Sequence, residues 1–136
     1  MRVMVLVKAT AESERGLAPT AETKAMMAAM GRFNDELRAA GVLVDMAGLK
    51  PSALGKRVAF DGSARPGERR VIDGPFAATR ELVAGFWIWD VKDMAEAVAW
   101  VQRCPNPMPQ SLGPSEIEIR PYYQAEDLTD FIEASA

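Results

Sequence analysis

The sequence predicts an α+β fold in which helices cover one face of an antiparallel sheet, and three observations carry that prediction. Short strand-like runs and two amphipathic helical stretches follow one another in the order β-α-β-β-β-α-β. The last strand alternates, with Ile117 and Ile119 on one side and Glu116, Glu118 and Arg120 on the other. The chain has 136 residues, enough for one domain with a real core. Helices segregated to one face of such a sheet make a ferredoxin-like sandwich.

Arg2 to Lys8 is a β-branched run and reads as a first strand buried on both faces. Ala9 to Pro19, "ATAESERGLAP", reads as a loop. Thr20 then stands before a helix, with Glu22 in the first turn, where the helix dipole favours an acid. Met26, Met30, Phe33 and Leu37 recur at spacings of four, three and four, which is one helix face. Gly41 ends the helix.

"VLVDMAGLKP" is a second strand that breaks at Pro51. Lys56 to Phe60 and Arg69 to Ile72 flank the turn-rich "DGSARPGE" and predict a hairpin. Ala84 to Val91 is the strongest strand. Asp93 and Glu96 form a capping box that opens a second helix, whose Val98, Trp100 and Val101 can cover the sheet until Pro105 stops it. "PNPMPQSLG" is a rigid loop, and Glu116 to Pro121 is the last strand. Leu128, Phe131 and Ile132 predict a short amphipathic helix in a C-terminal tail. The division is therefore a domain over 1–123 and a tail over 124–136, with no internal repeat.

If Val3, Val5, Val7, Ile117 and Ile119 meet the helices, the opposite sheet face is mixed, apolar but dotted with charge. Such a face suits a partner sheet that encloses a polar-lined cavity. Trp87 and Trp89 share one side of their strand, with Phe86 and Ile88 on the other, so one aromatic row should face that cavity.

Composition excludes several function classes. A net charge of -3 argues against a nucleic-acid or anionic-membrane surface. Cys104 is the only cysteine, so no internal disulfide forms and a reducing compartment is the natural reading. The apolar start is too short for a secretory signal, and no run approaches the ~18 apolar residues of a membrane helix. A cytoplasmic protein is expected. The chain has no histidine, which removes serine-type triads, histidine acid–base catalysis and the usual zinc sites. "GSARPG" lacks the lysine and helix of a phosphate loop, and no cofactor or metal is expected. Cys104, at a helix C-terminus, reads as structural with a raised pKa.

Asp73-Gly74-Pro75-Phe76 follows the hairpin. Gly74 tolerates a following proline, Pro75 rigidifies the turn, and Asp73 can accept backbone hydrogen bonds. Phe76 must be buried in the core, a partner subunit or a ligand pocket. A rigid loop anchored by a core phenylalanine and a pocket wall both fit.

With "VIDGPFAATRELVAGFWIWDV", "FNDELRAAGVLV", "DMAEAVAWVQRCP" and "EIEIRPYY", the chain resembles the YCII-related superfamily, in its DGPF-domain branch, from the first strand to about Tyr123. The resemblance implies a ferredoxin-like fold assembled as a homodimer with sheets face to face, a dimeric α+β barrel. It also implies a bacterial association with extracytoplasmic-function sigma factors. Relatives carry a proposed His–Asp pair with the histidine on the first helix. This sequence places Met26, Met27 and Met30 there, which leaves Asp35 without that partner.

The ligand-binding residues expected are Lys8, Asp73, Phe76, Glu118 and Arg120, with Asp73 at the rim; Thr79, Arg80 and Glu81 follow the motif and could join that rim, although a solvated turn is the favoured reading of Arg80. A carboxylate desolvated in the barrel could serve as a general base, and Arg120 could hold a substrate carboxylate by paired hydrogen bonds. These charges could equally pair with one another as structural salt bridges. The catalytic residues stay open. Two functions follow: a homodimer binding a small anionic or aromatic metabolite, with or without cofactor-free catalysis, or a non-catalytic accessory that binds a sigma factor through its tail.

Overall fold

Alternating valines make β1 (Arg2–Lys8) an inner strand, with Val3, Val5 and Val7 buried on one side and Met4, Leu6 and Lys8 only half-buried on the other. The structure is a computed structural model that describes residues 1–60, 62, 65, 67–77, 81–109 and 113–135. One strand face is buried by its own chain, not both.

The segment read as a loop after β1 contains a helix, α1 (Ala11–Arg15). Thr10 and Ser13 cap it reciprocally, each side chain accepting from the other's backbone N–H. Serine fills the role usually held by Glu or Gln in this motif, which hid the helix from sequence reasoning. Thr20 caps α2 (Ala21–Ala39) by accepting from Thr23 N, and Gly41 follows the helix at φ 72°. Strand β2 (Leu43–Gly48) returns, and a single 3-10 turn at Ser52–Leu54 leads to the hairpin of β3 (Lys56–Ala59) and β4 (Arg70–Asp73).

Strand β5 (Val83–Asp90) precedes α3 (Met94–Arg103). Asp93 accepts from Glu96 N, but the Glu96 carboxylate takes Lys92 N, so the predicted reciprocal box is replaced by a bond one residue earlier. Strand β6 (Ile117–Pro121) and α4 (Ala125–Ser135) complete the order.

Two sheets result. The main one runs β2-β5-β1-β6 and is antiparallel throughout, and β3-β4 is a separate two-stranded ribbon. This is the predicted ferredoxin-like α+β arrangement. Register places Ile117 opposite Val7 and Ile119 opposite Val5, so both isoleucines face the helices. Glu118 and Arg120 stand opposite Leu6 and Met4 on the open face.

The core lies between the main sheet and the pair α2 and α3. Phe33 sets its edge towards three tryptophans, with centroids 6.1 Å from Trp87, 6.4 Å from Trp89 and 6.2 Å from Trp100. Such edge contacts add to the large apolar area each ring removes from water. Leu37, Val3, Val5 and Trp89 are fully enclosed. Both strand tryptophans thus belong to the core, and Phe86 and Ile88 take the open face. Val98, expected to cover the sheet, is exposed; Ala97 makes the buried contact of α3. Among the described residues, no helix is long and apolar enough to cross a membrane.

Candidate functional site

A cavity of about 530 Å³ opens at one end of the helix layer, between α1, α2, the ends of β2 and β5, and the loop at Pro107–Met108. Its existence follows from the residues. Gly48 and Gly85 are register partners at the end of the sheet, so neither projects a side chain into the space. A β-carbon on Gly85 would stand 3.0 Å from the Ala47 carbonyl, so the strands approach closely there. Met26, Met27 and Met30 of α2 form one wall, with Met46 and Met108 opposite. Their predicted helical face therefore splits: Phe33 and Leu37 are core, while Met26 and Met30 stay half-buried at the cavity.

The polar groups are few. Trp87 Nε1 donates to Asn34 Oδ1 at 2.8 Å, which fixes the amide orientation. The Nδ2 protons of Asn34 find no acceptor among the described residues. Ser13 is the other polar side chain in the wall, and among the described residues no ionisable side chain lines the cavity. Sequence reasoning missed this site because nothing in the "FNDELRAAGVLV" run marks Asn34 as a ligand group and the methionines read as core.

The Asp-Gly-Pro-Phe turn is held beside the cavity by a chain of hydrogen bonds. Glu14 of α1 accepts from Ser52 N at 3.0 Å and from Ser52 Oγ. Phe76 N donates to Ser52 Oγ at 3.0 Å, and Gly74 N donates to Gly55 O at 3.0 Å. The Gly74–Pro75 peptide is cis. The 3-10 turn follows directly on Leu49 and Pro51, which line the cavity, so the motif braces the cavity wall. Phe76 is half-buried under the Arg57 guanidinium, 3.9 Å from its ring centroid.

The expected ligand residues divide into two groups. Lys8, Glu118 and Arg120 come together on the open sheet face: Lys8 Nζ is 3.4 Å from Glu118 Oε1, and Arg120 Nη1 is 3.4 Å from Glu118 Oε2. Asp73 pairs with Lys56 on the exposed hairpin, away from that cluster, and Phe76 lies with Arg57. Thr79 and Arg80 lie outside the described residues, and Glu81 is exposed.

In the single chain Glu118 is solvated and not desolvated. The hydrogen bond from Arg120, then that from Lys8 and its charge, hold Glu118 below its ordinary range. In one copy this carboxylate is the centre of a solvated salt-bridge cluster. Burial pushes the Cys104 thiol up to about 12, so it is a poor nucleophile at neutral pH. Among the described residues no three His, Cys, Asp or Glu side chains converge to hold a metal.

The YCII-related domain model matches residues 1–123 of the chain. Among solved structures, the chain is similar to 5-chloro-2-hydroxyhydroquinone dehydrochlorinase from Burkholderia phenoliruptrix AC1100, solved in complex with 2,5-dihydroxybenzoquinone. The two share 12% identity and superpose with a TM-score of 0.50, covering 93% of this chain and 97% of that one. At that identity the likeness is one of fold. No curated protein matches the sequence.

Proposed function

This chain belongs to the YCII-related domain family, and from that footing we propose that it binds a small uncharged ring compound in the methionine-walled cavity. The observation that carries the reading is the Asn34 amide, locked by Trp87 Nε1, whose Nδ2 donors find no acceptor among the described residues, in a wall where none of the described side chains is ionisable. Asn34 is half-buried, and an amide donor held at the cavity wall can bond a ligand that brings an acceptor, such as a ring carbonyl or hydroxyl. Thioether side chains are flexible and polarisable, and they suit contact with aromatic faces and edges. A volume of about 530 Å³ falls within the usual range for small-molecule sites. The ring compound held by the dehydrochlorinase of like fold supports a ligand of that size. An anion is disfavoured because no cationic side chain lines the cavity among the described residues.

Isothermal titration with hydroquinone, a neutral ring with two hydroxyls, tests the reading. Binding should weaken about five- to tenfold in Asn34→Leu, since one neutral hydrogen bond is worth about 1–1.4 kcal/mol. Equal affinity in both proteins removes the amide from the site and the reading with it.

A second reading concerns the open sheet face, and the exposure of Arg120 favours it. Its side chain is 72% exposed and holds Glu118 only at 3.4 Å, so it keeps donors for a carboxylate. Met4, Leu6, Phe86 and Ile88 beside it are half-buried in one copy, and packing this face on a second copy's would close a barrel around the charged cluster. In that reading the chain is a homodimer, and Arg120 contributes to an anion site between the sheets. Arg120→Met should then abolish anion binding while the dimer persists in light scattering. Persistence of anion binding in the variant counts against it.

A further inference from the structure

Two exposed apolar surfaces carry opposite charge. Helix α4 has eleven residues, with four acids (Glu126, Asp127, Asp130 and Glu133) and no base. Its start is capped within the chain, where Gln124 N donates to Asp127 Oδ2 at 2.7 Å. Leu128 and Phe131, three residues apart on one side, are 52% and 73% exposed. The second surface is the hairpin. Register puts Val58 opposite Val71, and both are about half exposed on the outward side, while Ala59 and Ile72 turn inward. Phe60 extends that outward side under the Arg69 guanidinium, 4.3 Å from its ring centroid. Arg69 stands on that outward side with Lys56, which pairs with Asp73, while Arg57 and Arg70 project from the Ala59–Ile72 side; the ribbon as a whole is basic, and neither Arg69 nor Arg70 forms an ion pair with a described residue.

We infer that the acidic C-terminal helix of one copy docks its Leu128–Phe131 side on the basic, valine-faced hairpin of a second copy. The geometry of the main sheet argues against docking within one chain. Strands β6 and β2 are opposite edges of the sheet. Helix α4 leaves from the end where Pro121 pairs with Val3, and the hairpin hangs from the other end, where Gly48 pairs with Gly85. With seven residues along β1 and four strands across, those corners stand roughly 25 Å apart. Three linking residues and half of α4 carry the apolar stripe only about 18 Å from Pro121. A second copy faces no such limit, and a two-fold axis makes the contact twice, tail to hairpin and hairpin to tail. Charge complementarity sets the register and favours this pairing over tail with tail, where acids would meet acids.

The experiment is cysteine crosslinking between two differently tagged full-length chains, one Leu128→Cys and one Val71→Cys, co-expressed and treated with a short bis-maleimide. Both positions are exposed, so both variants should fold. The wild-type chain, with its half-buried Cys104, is the background control. A heterodimer band carrying both tags is expected, and Arg69→Glu with Arg70→Glu in the hairpin chain should reduce it at least tenfold. Three results would overturn the inference: no mixed band, a band of Leu128→Cys with itself, or a crosslink inside one chain when both cysteines are carried together. The first would leave the tail for a different protein, the third for its own hairpin.

Discussion

A β-carbon on Gly74 would stand 1.8 Å from the carbonyl oxygen of Ser52, so the Asp-Gly-Pro-Phe turn and the 3-10 turn are built as one piece. No side chain at position 74 fits without moving backbone, because the obstructing atom is itself backbone. Gly74→Ala should therefore lower stability by about 2–3 kcal/mol, the range for overpacking a tight contact. Denaturant titration checks this, and a change below about 0.5 kcal/mol would show that the two turns yield.

Phe76 and Phe33 separate a braced surface ring from a core ring. Phe33 is buried among three tryptophans, and Phe33→Ala should cost about 3–5 kcal/mol. Phe76 is half-buried beneath Arg57, so Phe76→Ala should cost roughly 1–2 kcal/mol, from partial burial and a cation–π contact. The same titration measures both, and equal losses would mean that Phe76 is covered by something more than one copy provides.

Glu118 predicts a pH dependence with a definite sign. Its folded pKa is lowered from the ordinary 4.5 by Arg120 and Lys8. A depressed carboxylate stabilises the fold above its unfolded pKa, and that contribution disappears as pH falls through the folded value. The stability difference between the wild type and Glu118→Gln should be constant above about pH 5 and shrink as pH drops below 4.5. Solvent screens the group, so the difference is small. Thermal unfolding from pH 3 to 7 measures it, and a difference that grows towards acid would reverse the assignment.

Strand and helix periodicity carried most of the fold. Alternation in β1 and β6 gave the correct helix-facing side, since period two leaves no other choice once one face is buried. Helix α1 was hidden because its capping partner is Ser13 and it buries no side chain to create a pattern. The candidate site was less legible. Cavities arise from what is missing, and the Gly48–Gly85 pair shows its effect only when the two strands are set side by side. Met26 and Met30 fit a core stripe equally well on paper, because periodicity reports which side of a helix is apolar and not whether anything fills the space beside it. The Lys8–Glu118–Arg120 cluster was legible from alternation, whereas Asp73 was drawn away by its hairpin partner Lys56.

Methionine-methyl NMR tests the central claim most directly, because the eight methionines divide by position. Met26, Met27, Met30, Met46 and Met108 line the cavity, while Met1, Met4 and Met94 do not. Met4 stands opposite Arg120 on the open sheet face and reports on the other candidate site. Titrating hydroquinone into protein labelled at the methionine methyls should shift the five cavity resonances together and leave Met1, Met4 and Met94 in place. Shifts at Met4 with the cavity methionines unmoved would contradict the account and put the binding site on the opposite face of the sheet.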